Sequence, residues 1–219
     1  MRNYISRLIL VSVIALMTTT LNAQIQKARY SVLNLDSLLA KKVSYPLESL
    51  KSSSEGDVII SFTITKDGKL ENPGIENSPD LEMSKASMEA IKTLTDKWSP
   101  AKNGESPVTK KYFAVFRYRI YHNSAPTPLS ASAEKQVSKG NFPKALKHYN
   151  NAIEENPYDK NLFQARSKTK KALGDEAGFA QDNAEYLRLD EEFMAVIDVF
   201  AIATQKTVTR TVTTTSSRL

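Results

Sequence analysis

Cysteine does not occur in the 219 residues, and histidine occurs only at His122 and His148. The first absence excludes a disulfide framework, thiolate-bound zinc and a cysteine nucleophile. The second excludes a histidine-rich metal centre. No charge of one sign dominates: Lys+Arg 30 against Asp+Glu 24, spread along the chain, leave a net charge of +6. So diffuse an excess is a solvated surface, not the basic stripe that nucleic acid selects. Missing too are a Gly-x-Ser-x-Gly elbow, a phosphate loop and a His-Glu-x-x-His pair, the spacings behind nucleophilic, phosphoryl and zinc-hydrolase chemistry. The acidic neighbours Glu154-Glu155 and Asp190-Glu191-Glu192 fall at helix ends, where adjacent side chains do not face each other. The chain reads as a non-enzyme, with no cofactor, no metal and no small-molecule substrate.

The longest apolar run lies at the N-terminus. Arg2 and Arg7 precede Leu8–Met17, and Thr18-Thr19-Thr20-Leu21-Asn22-Ala23 supplies a small, polar exit. That is the three-part layout of a secretory signal, with residues 1–23 removed on export. Loss of its two arginines lowers the net charge from +6 to +4. The alternative is an uncleaved anchor in the inner membrane, facing the periplasm, although Ile5–Met17 is shorter than the ~20 residues a span requires.

From Gly56 the pattern changes to period two. Val58, Ile60, Phe62 and Ile64 share one face; Ile59, Ser61, Thr63 and Thr65 share the other. Lys66-Asp67-Gly68-Lys69 signals a hairpin with a type I′ turn, leading to a strand near Leu70–Ser78 that Pro73 marks as an edge. A helix is predicted near Leu81–Thr95, with Met83, Ala86, Ala90, Ile91 and Leu94 on one stripe. A third strand covers Lys110–Tyr121. A right-handed crossover in this β-β-α-β order places the Val58 strand centrally and leaves Lys110–Tyr121 as an exposed edge. Arg117 and Arg119 would point outward there and discourage uncontrolled pairing.

Tyr45-Pro46, then Gly56-x-Val58-x-Ile60-x-Phe62-x-Ile64-x-x-Asp67-Gly68-x-Leu70, Trp98-x-Pro100-Ala101, Gly104 and the closing aromatic strand resemble the C-terminal domain of TonB energy transducers over residues 38–121. Ser49 departs from the family's usual alanine. The long proline-rich spacer of a transducer has no counterpart in Gln24–Lys42. The resemblance implies strand addition, in which the last strand pairs with an extended segment of an outer-membrane receptor. By position, Lys111, Phe113, Val115, Arg117 and Arg119 on that strand's edge become the candidate partner contacts. An inner-membrane transducer coupling proton-motive force to outer-membrane transport is the alternative function.

Residues 122–128, with Pro126 and Pro128, read as a stiff linker. Beyond it, residues 129–205 read as tetratricopeptide-like repeats plus a capping helix. Gly140 and Gly174 stand about one 34-residue repeat apart. Ala145, Tyr149 and Ala152 form the first core, and Phe163, Ala165, Leu173, Phe179, Ala180 and Leu187 the second. The apolar run Phe193–Ala203 is assigned to the cap. Asn150, Lys147 and Arg166 are candidate groove residues, and residues 206–219 read as a disordered, threonine-rich tail. The fold class is α+β: a three-stranded sheet with one packed helix, followed by an all-α unit. The functional expectation is a periplasmic protein–protein adaptor.

Overall fold

The computed structural model describes residues 25–31, 34–95 and 97–203. The signal assigned to residues 1–23 and the tail at 206–219 lie outside them.

After β1 (Arg29–Tyr30), α1 (Leu35–Ala40) begins where the Asn34 side chain accepts the Ser37 N–H, and α2 (Leu47–Lys51) follows Pro46. β2 (Gly56–Ile64) and β3 (Leu70–Asn77) form an antiparallel hairpin. At its turn only Gly68 has positive φ, at +73°. The Gly68 N–H donates to the Thr65 carbonyl and the Thr65 N–H to the Lys69 carbonyl, both at 2.9 Å. A type I′ turn needs two positive-φ residues, so that expectation is corrected to a longer loop closed by a single left-handed glycine. Asp80 then caps α3 (Leu81–Lys92) by accepting the Met83 N–H at 2.8 Å. The short strands β4 (Trp98–Ser99), β5 (Ala101–Asn103) and β6 (Ser106–Val108) lead to the 13-residue β7 (Lys110–His122).

The main sheet has four strands in the order β3-β2-β7-β8. Val58, Ile60, Phe62 and Ile64 on β2 and Tyr112, Ala114, Phe116 and Tyr118 on β7 are all buried on one face. Met83, Ala90, Ile91 and Leu94 from α3 and its C-terminal end, with Leu39 from α1, join the same core. Each buried Val, Leu, Ile, Phe or Met side chain among them contributes about 1.5–3 kcal/mol of transfer free energy.

Four helices follow β7: α4 (Ala131–Val137), α5 (Phe142–Glu155), α6 (Lys160–Ala172) and α7 (Glu176–Glu192). Each packs on the next. Ala133, Ala145, Tyr149, Ala152 and Leu162 make a second, smaller core. The expected core positions Leu173 and Leu187 are exposed, and Leu162 and Leu189 are buried instead.

The largest departure comes at Phe193. Helix α7 passes without a loop into β8 (Phe193–Ala203), so the run expected to cap the helices is a strand. Val196, Ile197, Val199 and Ile202 are β-branched, which a pleated ribbon accommodates better than a helix. β8 lies parallel to β7 from Phe113↔Phe193 to His122↔Ala203. Ala195, Ile197 and Val199 enter the main core. The three-stranded expectation is therefore corrected to a four-stranded mixed sheet whose last strand is delivered by the helical unit.

Candidate functional site

β7 is an inner strand. The flank expected to be vacant is filled from Phe113 to His122 by the chain's own β8, so Phe113, Val115, Arg117 and Arg119 lie along a paired flank, and Lys111 falls just before it. Their side chains are engaged within the chain as well. Lys111 forms a 2.8 Å ion pair with Glu76 on β3. Phe113 stacks on Phe193 with ring centroids 5.4 Å apart, and Val115 is fully buried. Arg117 is only 2% exposed; its guanidinium donates to Asp198 Oδ1 on β8 at 2.5 Å and to the Glu155 carbonyl at the end of α5 at 2.9 Å. Arg119 pairs with Asp57 at 2.7 Å. The outward arginine inferred at position 117 is a buried tie between sheet, added strand and helical unit. A partner carboxylate within hydrogen-bond reach makes that burial tolerable.

The junction of α7 and β8 is fastened from the N-terminal segment. Lys27 Nζ donates to the carbonyls of Asp190 and Phe193 at 2.6 and 2.7 Å. Burial lowers the Lys27 pKa to about 8. Lys160 pairs with Asp190 and Lys110 with Glu191. Burial raises the carboxyl pKa of Asp36 on α1. Around Lys27, Asp36 and Met194 opens a cleft of about 550 Å³ that Tyr30 and Trp98 also line.

One bond establishes which backbone groups of β8 face which way. The Ala203 carbonyl points toward β7's continuation and accepts the Asn123 N–H at 3.0 Å. Since N–H and C=O directions alternate along a strand, Asp198, Phe200 and Ile202 direct their backbone outward. No described strand lies beyond them. The opposite end of the sheet is guarded: β3 carries Pro73, Asn72 at φ +52°, and two register shifts against β2, devices that discourage pairing.

In the helical unit, Arg166 forms a two-pronged pair with Asp182 at 2.8 Å and also donates to Asn150 at 2.8 Å. Burial would raise the Asp182 pKa, but the bonds from Arg166 and Lys170 hold it below the usual carboxylate range. Arg166 and Asn150 thus satisfy each other, whereas Lys147 is exposed. Among the described residues no three His, Cys, Asp or Glu side chains are placed to hold a metal, and no helix is long and apolar enough to cross a membrane.

Residues 41–120 match the family described as Gram-negative bacterial TonB protein C-terminal. The NMR solution structure of Helicobacter pylori TonB-CTD (residues 194–285) is 28% identical, with 36% of this chain and 84% of that chain covered and a TM-score of 0.28. The structure of a longer segment of the same protein (residues 179–285) is 24% identical, covering 39% of this chain and 78% of that one at a TM-score of 0.31. None of the curated proteins matches. The family match ends inside β7, so the four helices and β8 lie beyond it. Over residues 41–120 the chain is therefore similar to a TonB C-terminal domain.

Proposed function

We propose that this chain is an exported, non-catalytic adaptor of the cell envelope, facing the periplasm. Its TonB C-terminal-like domain engages an outer-membrane transport component, and its helical unit holds a second protein. The observation that carries this reading is β8. A strand issuing directly from α7 completes the sheet and is tied to it through Arg117, Asp198 and the Glu155 carbonyl. Two interaction modules linked in this way share one framework, and a load on one is borne by the other. Gly140 and Gly174, at φ +70° and +77° after α4 and after α6, support the reading of the helices as tetratricopeptide-like, a scaffold that binds polypeptide.

Direct contact of a partner strand with the backbone of β7 is not part of this proposal, because β8 occupies that position. The test is in-cell crosslinking of the tagged chain, followed by mass spectrometry of the envelope fraction. An outer-membrane transport protein enriched over an untagged control is the expected result. Recovery of no envelope protein overturns the adaptor.

A further inference from the structure

The cleft of about 550 Å³ beside the α7–β8 junction has a cation at its side and a rigid aromatic wall. The segment carrying the cation is held on both sides of Lys27. Gln26 exchanges two backbone hydrogen bonds with Lys102, at 2.8 and 3.0 Å, and the Ala28 N–H donates to the buried Tyr112 hydroxyl at 2.9 Å. An ammonium has three donors. Two of them go to the Asp190 and Phe193 carbonyls, and the third meets no acceptor among the described residues. Nearby carboxylates are taken by other cations, Asp190 by Lys160 and Glu191 by Lys110. Asp36 lines the cleft as well, but among the described residues it forms no ion pair with Lys27, and Arg29 adds a second positive charge to the lining. Lys27 is thus a half-buried cation without a counterion, a state that burial makes costly. The wall is fixed before anything binds. Tyr30 lies 4.9 Å from Trp98, whose indole N–H donates to the Leu94 carbonyl at 3.2 Å and whose ring is backed by Phe62 at 5.9 Å. Met194 lines the same cleft, with a thioether that adapts to flat rings.

We infer that this cleft binds a small aromatic carboxylate, whose anionic head meets the third Lys27 N–H and whose ring lies against Tyr30, Trp98 and Met194. The inference goes beyond the adaptor reading and does not depend on it. A charge-assisted bond from Lys27 supplies the counterion that the chain itself withholds, and the ring buries apolar surface on a wall that need not rearrange. Such a combination of apolar lining and a few placed polar groups is what small-molecule sites use. A cationic head meets Lys27 and Arg29 with Asp36 alone to attract it. A neutral amide accepts the hydrogen bond but leaves the charge of Lys27 unbalanced.

Trp98 is the single tryptophan of the chain, so its fluorescence reports the cleft directly. The probes are phenylacetate, phenylacetamide and phenethylamine, which share a ring and differ in the charge of the head. Titrated into the full-length mature chain, phenylacetate should change the Trp98 emission saturably, phenylacetamide should bind roughly tenfold more weakly, and phenethylamine should not bind. Lys27→Met should weaken phenylacetate binding by roughly tenfold, Lys27→Arg should retain it, and Asp36→Asn, which removes the competing carboxylate, should tighten it. The groups facing Lys27 are Asp190 on α7, Asp36 on α1, Lys160 on α6 and Lys110 on β7, and its own pKa is about 8. Affinity should therefore hold below pH 8 and fall as pH rises above it and the ammonium is lost. Should Lys27→Met fail to fold, the three heads and Asp36→Asn decide, since none of them disturbs the bonds from Lys27 to the junction. No emission change with phenylacetate, equal binding of the three heads, or phenylacetate binding that Lys27→Met or Asp36→Asn leaves unchanged overturns the inference. Crosslinking to an envelope protein reads the adaptor separately and stands or falls without these results.

Discussion

Three residues are required by geometry more than by their type. Gly68 sits at φ +73°, where a Cβ would lie 2.3 Å from the Trp98 carbonyl oxygen. Gly68→Ala meets backbone strain and a backbone clash together, and should cost about 2 kcal/mol or more in urea unfolding. Asp198 is the charge partner of a guanidinium that is 2% exposed. Asp198→Ala strands that cation and should cost about 2 kcal/mol; Arg117→Met, which removes the cation and keeps much of its volume, should cost less. The reverse ranking in thermal melts would make Asp198 a bystander. Tyr118 is the third. Its buried hydroxyl is shared with Ser87, and burial pushes its pKa up to about 12, as burial and then Glu55 do for Tyr45. Both folded-state values exceed the unfolded value near 10. Their contribution is complete below pH 10 and is lost as pH rises toward 12, because the unfolded chain releases these protons first. The urea midpoint should fall steeply over that window, and Tyr118→Phe should flatten part of the fall.

Strand β8 shows how far single elements can be read from sequence. β2, the hairpin, α3 and β7 are legible because one face of each is polar enough to leave a period. Tyr112, Ala114, Phe116 and Tyr118 alternate with residues that a half-buried strand tolerates. Phe193–Ala203 has no such contrast, since Met194, Val196, Phe200 and Ile202 are as apolar as the inward Ala195, Ile197 and Val199. A strand lying parallel to its neighbour often reads as a continuous apolar run, which periodicity cannot tell from a buried helix. The β-branched content was the available signal. The same blindness hid the site: with β8 read as a helix, β7 became an edge and Arg117 an outward charge. The alternation of β8's backbone gives a prediction at this scale. Val199→Pro removes an N–H directed at β7, whereas Phe200→Pro removes one directed outward. Both pay the same restriction of φ, so the first should be less stable by about 1 kcal/mol or more, the worth of a ladder bond and its neighbours. Equal losses in chemical denaturation would mean the backbone orientation is misassigned.

At the scale of the molecule, the helical unit and the sheet are a single stability problem. Removing β8 uncovers Ile197 and Val199 and the core surface they seal, about 1.5–3 kcal/mol for each of the two side chains. It also frees the β7 backbone from Phe113 to His122. Against a total stability of about 5–15 kcal/mol for a natural domain, that loss is large, and an unpaired, aromatic flank is a template for another chain. A chain of residues 24–124, which keeps β2, β3, α3 and β7 but lacks the helices and β8, should therefore melt well below the mature protein and self-associate. The full mature chain should instead unfold in one cooperative transition, with near-ultraviolet and helical circular dichroism signals coinciding, because the ties from Arg117 to Glu155 and from Lys27 to Asp190 cross from one unit to the other. Sedimentation velocity and paired melts measure both expectations. A stable, monomeric 24–124 fragment would show that β8 lies against the sheet without sealing it, and would return the flank of β7 to the list of surfaces a partner strand could take.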